Sequence, residues 1–88
     1  MSFSIELSKT ARNDLEFWKK SGDKKILRRI IKLLRTIEQT PFEGLGKPEP
    51  LKHELSGYWS RRISKEHRLI YSAKGDTIYV IALRYHYD

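Results

Sequence analysis

The chain has 88 residues, of which 39% are hydrophobic and 33% charged, and 18 Lys+Arg against 11 Asp+Glu leave a formal net charge of +7. That length predicts one domain spanning residues 1–88, burying about 60–65% of its extended-chain surface and leaving no room for a separate cofactor domain. Zero cysteines exclude disulfides, thiolate nucleophiles and zinc–thiolate sites, and the basic balance predicts an acidic polymer as partner, nucleic acid foremost.

Phe3-Ser4-Ile5-Glu6-Leu7 alternates apolar and polar residues with period two, which predicts a short half-buried strand. Ser8 is a natural N-cap for a helix whose buried stripe is Ala11, Leu15 and Trp18, with Asp14 and Glu16 pointing elsewhere. Ser21-Gly22-Asp23 ends that helix and starts another, Gly22 supplying a left-handed position and Asp23 an N-cap carboxylate. The second helix, about residues 24–39, gathers Ile26, Leu27, Ile30, Ile31, Leu33, Leu34 and Ile37 on one side. Lys24, Lys25, Arg28, Arg29, Lys32 and Arg35 gather on the other, without an acid among them. Its apolar stripe is a wall for a sheet to pack on, and the basic face wants an anion.

Thr40-Pro41 stops the helix, because proline disfavours helical geometry in the residue before it. Residues 41–50 hold all three prolines and two of the five glycines, a loop of the length that usually carries function. Three strands are predicted beyond it, at 58–64, 66–73 and 77–85, with another short one at 51–54. The fold class is therefore α+β: one N-terminal strand, two helices, then an antiparallel meander with the helices packed on one face of the sheet. No run approaches the ~20 apolar residues that span a bilayer, and Met1-Ser2-Phe3-Ser4-Ile5-Glu6 lacks the pattern of a signal peptide, so a cytoplasmic protein without membrane partners is expected.

Glu49 stands between Pro48 and Pro50, which stiffen the backbone that presents its carboxylate. If Lys74-Gly75-Asp76 forms a three-residue connection, Ala73 opposes Thr77. Arg68, Arg84 and His86 then share one sheet face, joined by Arg62 from the neighbouring strand, while Leu69, Tyr71, Ile81 and Leu83 face the helices. A carboxylate, an imidazole and clustered guanidinium groups suffice for metal-free RNA cleavage. Glu49 can take the proton of the ribose 2′-OH, His86 can protonate the departing 5′-oxygen, and Arg68 can stabilise the charge that grows on the phosphoryl oxygens. Other chemistries lack their motifs: the three histidines, at 53, 67 and 86, show no metal-ligand spacing, and neither a phosphate-binding glycine loop nor a serine elbow is present. His53 and His67 are expected to be structural.

The run Thr40-Pro41-Phe42-Glu43-Gly44-Leu45-Gly46-Lys47-Pro48-Glu49-Pro50-Leu51-Lys52, then Leu55-Ser56-Gly57-Tyr58-Trp59-Ser60-Arg61-Arg62-Ile63, His67-Arg68-Leu69-Ile70-Tyr71 and Arg84-Tyr85-His86-Tyr87, resembles the YoeB (Txe) toxins of the RelE superfamily. The resemblance covers about residues 40–87, with Asp88 extending one residue past the terminal tyrosine. It implies a RelE-like fold and a ribosome-dependent endoribonuclease, an mRNA interferase that enters the decoding A site, cuts the message and inhibits translation. It implies Glu49 as general base, His86 as general acid and Arg68 at the phosphate, with Lys52, Arg62 and Tyr87 holding the RNA or ordering the site. It further implies mRNA on the ribosome and ribosomal RNA as partners, a cognate antitoxin of the Phd/YefM type, pairing as a homodimer, and no cofactor. The residues alone leave a second reading open, a non-catalytic basic module that binds nucleic acid or the ribosome.

Overall fold

A computed structural model describes residues 3–84. Strand β1, Ser4–Leu7, is followed by helix α1, Lys9–Ser21, and helix α2, Lys24–Gln39. Each helix begins where a side chain replaces a missing intrahelical acceptor: the Ser8 hydroxyl accepts from the Ala11 N–H at 3.0 Å, and the Asp23 carboxylate accepts from the Ile26 N–H at 3.1 Å. Gly22, at φ +79°, makes the left-handed break between them. Then come β2, Glu49–Pro50, a 3₁₀ turn at His53–Leu55, β3, Trp59–Arg62, β4, Arg68–Lys74, and β5, Thr77–Ala82.

The five strands form one sheet in the order β1-β5-β4-β3-β2. Strands β2 to β5 pair antiparallel, and β1 returns parallel to β5 with Ser4 opposite Thr77, so the sheet is mixed. Both helices cover one face. Ala11 and Trp18 of α1 and Ile30, Leu33 and Ile37 of α2 pack with Leu69, Tyr71, Ile78 and Val80 into one buried cluster. The expected α+β architecture with helices on one face is what the chain adopts.

Several local expectations differ. The segment 51–54 is not a strand: pairing is made earlier, by Glu49 and Pro50, and the chain then tightens into the 3₁₀ turn. Residues 66 and 67 lie in the β3–β4 turn, where the Ser64 hydroxyl accepts from both of their N–H groups. The β4–β5 connection has two residues, not three, because Lys74 pairs with Thr77 across Gly75 and Asp76. Ile78 and Val80 therefore point into the core in place of Ile81. A bulge then shifts the register by one, Tyr71 facing Val80 and Ile70 facing Ala82. Ile31 is 44% exposed, since the sheet covers the stripe centred on Ile30, Leu33 and Ile37.

Candidate functional site

The face of the sheet away from the helices carries three of the charged residues singled out in the sequence, Glu49, Arg62 and Arg68. Glu49 pairs with Ser60, Ser60 with Ile70, and Arg62 with Arg68. Residues directly opposite in antiparallel strands project to the same side, as do residues two apart on one strand. Glu49, Arg62 and Arg68 therefore share a face across three neighbouring strands. Leu69 and Tyr71, with the opposite parity, are fully buried against the helices.

Glu49 is exposed on the edge strand, and Lys52 is exposed three residues later, at the start of the 3₁₀ turn. The Leu51 N–H donates to the Tyr58 carbonyl at 2.9 Å, which keeps the β2–β3 loop anchored close to β3. Like charges directly opposite in a sheet repel. Arg62 and Arg68 stand in that relation, an arrangement that an anion bound between or above them would relieve. Arg68 is held partly by the adjoining turn, its Nη1 donating to the carbonyls of Ser64 at 2.8 Å, His67 at 3.1 Å and Lys65 at 3.3 Å. Its Nε and Nη2 make no hydrogen bond among the described residues.

His86 and Tyr87, expected beside these groups, lie outside the described residues. The approach to them is fixed by α1. The Trp18 indole N–H donates to the Leu83 carbonyl at 2.9 Å, and the Asp14 carboxylate accepts from the Leu83 N–H at 2.9 Å. The Arg84 guanidinium lies 3.6 Å over the Phe17 ring. Arg84 is thus drawn toward α1 and does not join Arg68 in a common floor, and Asp14 points at the end of the sheet, not away from it. His67 packs edge-on against Trp18, its ring centroid 4.8 Å away, whereas His53 is exposed in the 3₁₀ turn at φ +59°.

Sequence reading passed over Arg61. Its side chain is 0% exposed, and it donates from Nε to the Tyr71 hydroxyl at 3.0 Å, from Nη1 to the Leu45 carbonyl at 2.9 Å, and from Nη2 to the carbonyls of Thr40 at 2.7 Å and Glu43 at 2.9 Å. Tyr71 in turn donates to the Pro41 carbonyl at 2.6 Å. Burial raises the pKa of that phenol above its ordinary value, outweighing the hydrogen bond and positive charge of Arg61, which lower it. The signal for Arg61 was parity: in a strand that turns Arg62 outward, the preceding arginine must turn inward.

A second basic surface adjoins the first. A groove between α2 and the β3–β4 turn is lined by Lys25, Arg28, Arg29, Lys32 and Lys65, with Ile26, Ile63, Ser64 and one carboxylate, Asp23. Asp23 is already engaged as the cap of α2. Arg29 is less solvated than its place on the basic face implied, because its Nε and Nη2 donate to the Arg62 carbonyl at 3.3 and 3.2 Å and tie the groove to the end of β3. Among the described residues there is no group of three or more His, Cys, Asp or Glu able to hold a metal ion, and no helix is long and apolar enough to cross a membrane.

Small basic proteins with this strand–helix–helix–sheet order include the toxins of bacterial toxin–antitoxin pairs. Residues 7–87 match the family described as YoeB-like toxin of bacterial type II toxin-antitoxin system. The chain is 50% identical to Toxin YoeB of Escherichia coli K12 over 80 residues, covering 91% of this chain and 94% of that one. Among solved structures it is similar to the YoeB dimer from Staphylococcus aureus, with 40% identity, a TM-score of 0.88, and coverage of 99% of this chain and 100% of that chain. It is also similar to a chain of the YoeB–YefM complex from the same organism, with 39% identity, a TM-score of 0.86, and coverage of 99% of this chain and 100% of that one. The chain belongs to the YoeB-like toxins of type II toxin–antitoxin systems.

Proposed function

We propose that this toxin is a ribosome-dependent endoribonuclease, an mRNA interferase acting in the cytoplasm as a single domain, which cleaves the message in the decoding A site by metal-free general acid–base chemistry. Glu49 takes the proton of the ribose 2′-OH, whose oxygen attacks the adjacent phosphorus. The bond from phosphorus to the 5′-oxygen breaks as His86 protonates that oxygen, leaving a 2′,3′-cyclic phosphate and a 5′-hydroxyl. Arg68 gathers the charge that builds on the non-bridging oxygens, where a guanidinium binds the transition state more strongly than the ground state. Lys52, Arg62 and Tyr87 hold the RNA and order the site. A DNA strand, lacking the 2′-OH, supplies no nucleophile.

The observation that carries this reading is the shared face of Glu49, Arg62 and Arg68 across β2, β3 and β4, a glutamate and two arginines on one side of the sheet in a chain of this family. The basic groove along α2 fits ribosomal RNA, because closely spaced cations release condensed counterions from a phosphate backbone. By analogy with the complexes of the Staphylococcus aureus relative, the chain pairs as a homodimer and is neutralised by a cognate Phd/YefM-type antitoxin whose acidic segment covers the basic surface.

Catalysis and binding are separable under this reading. Glu49→Gln and His86→Gln should each lower cleavage of mRNA on programmed ribosomes by about 10²–10⁴-fold while co-sedimentation with ribosomes persists and EDTA leaves the parent unaffected. Parental cleavage by both variants would remove the acid–base assignment. Loss of activity only on charge reversal along α2, with Glu49 dispensable, would favour a non-catalytic binding module.

A further inference from the structure

We infer that Arg61 is a positioning residue for this reaction, its buried guanidinium fixing the path of the chain from which Glu49 is presented to RNA. The inference rests on the role proposed for Glu49. Residues 41–48 form no strand or helix, so their carbonyls need partners from elsewhere. Four of the five guanidinium N–H donors are spent there: three reach the carbonyls of Thr40, Glu43 and Leu45, and the fourth reaches the Tyr71 hydroxyl, which itself donates to the Pro41 carbonyl. The next residue, Gly46, accepts from the Arg62 N–H at 2.8 Å. Three residues later Glu49 enters the sheet opposite Ser60. The anchor and the base are thus consecutive along one restrained stretch of chain.

Two features make a purely stabilising role a poor account of Arg61. A buried cation is costly to desolvate, and its partners here are carbonyls and a phenol, with no carboxylate among the described residues. A buried ion pair can often be replaced by apolar side chains without loss of stability, but Arg61 has no such partner among the described residues, and its loss would leave the carbonyls it serves without donors. What an apolar residue cannot do is hold several carbonyls at fixed separations. The loop is also closely fitted: Gly46 has φ +90°, and a Cβ placed on it would meet Leu33 Cδ2 at 2.8 Å and Arg61 Cβ at 3.2 Å. A lysine at position 61 offers its donors from a single point and cannot span acceptors at separate places.

The test is single-turnover cleavage of mRNA on programmed ribosomes by Arg61→Lys, in the parent and in the Glu49→Gln background, with half-saturating toxin concentration measured in parallel. A base displaced by about 1 Å loses roughly 10²-fold, so Arg61→Lys should lower the cleavage rate constant by about 10–100-fold with half-saturation changed less than about threefold. In the Glu49→Gln background the same change should cost less than about twofold, because residues that act through one another are non-additive. An equal loss in both backgrounds, an effect confined to half-saturation, or a parental rate would each overturn the proposal. Should Arg61→Lys fail to fold, Tyr71→Phe, which removes the hydroxyl joining Arg61 to Pro41, is judged by the same two-background comparison. A Glu49→Gln chain that cleaves at the parental rate overturns the base assignment itself, an outcome distinct from an Arg61 effect indifferent to Glu49.

Discussion

Trp18 holds together two parts of the chain that are 65 residues apart. Its ring is buried in the core, and its indole N–H satisfies the carbonyl of Leu83, just beyond β5. Asp14, one helical turn earlier, takes the N–H of the same residue. Replacing Trp18 by Phe keeps most of the apolar area but leaves that carbonyl without its donor, a loss of about 1–3 kcal/mol. In a chain of this size each kcal/mol moves the melting temperature by about 4–8 °C, so thermal denaturation followed by circular dichroism should show a clear decrease for Trp18→Phe. An unchanged midpoint would mean that water serves Leu83 equally well. The residue scale is also where sequence reading was least complete. Helical spacing marked Trp18 as core but carried no information about where its N–H would find a partner. The burial of Arg61 and the backbone partner of Asp14 were not legible in the sequence, because one-dimensional pattern does not distinguish a solvated charge from one paired with a distant backbone.

At the level of elements, the helices were legible to their ends, because caps and breakers act locally: Ser8, Gly22, Asp23 and Pro41 each mark a boundary that the chain adopts. The sheet was less so. Strand positions followed from alternation, but the partner of β1 and the register of β4 with β5 depend on contacts distant in sequence and on a turn one residue shorter than assumed. The bulge near Ile81 explains why one part of the expectation survives: a register displaced by one at the turn is displaced again at the bulge, so beyond it even-numbered residues face even-numbered ones, as Ile70 faces Ala82. The core side of β5 itself was misread, as Ile78 and Val80 show. Under the proposed function, the separation of faces on α2 has a testable consequence. Arg28→Glu with Lys32→Glu should weaken ribosome binding by at least about tenfold and flatten the dependence of log affinity on log salt by about 0.7–0.9 per lost phosphate contact, with cleavage at saturation unchanged. Sedimentation binding over a salt series provides the measurement, and an unchanged slope would assign the RNA contact to another surface.

Across the whole molecule, a net charge of +7 is not spread evenly. One concentration lies along α2 and the β3–β4 turn, and a smaller one surrounds the outer end of β3 and β4, where Arg62 and Arg68 sit on the same face as Glu49. The carbonyl of Arg62 joins the two through Arg29. That layout suits a protein that docks on a large RNA with one surface and addresses a single phosphodiester with another. Mapping mRNA 5′ ends in growing cells after induction of the parent, Glu49→Gln and His86→Gln chains decides whether the proposed cleavage of messages on the ribosome, with Glu49 as base, occurs. New 5′ ends in phase with the reading frame are expected for the parent and should disappear, to background or nearly so, for both variants. Cuts out of phase with the frame, or parental cuts made by Glu49→Gln, would contradict the proposal.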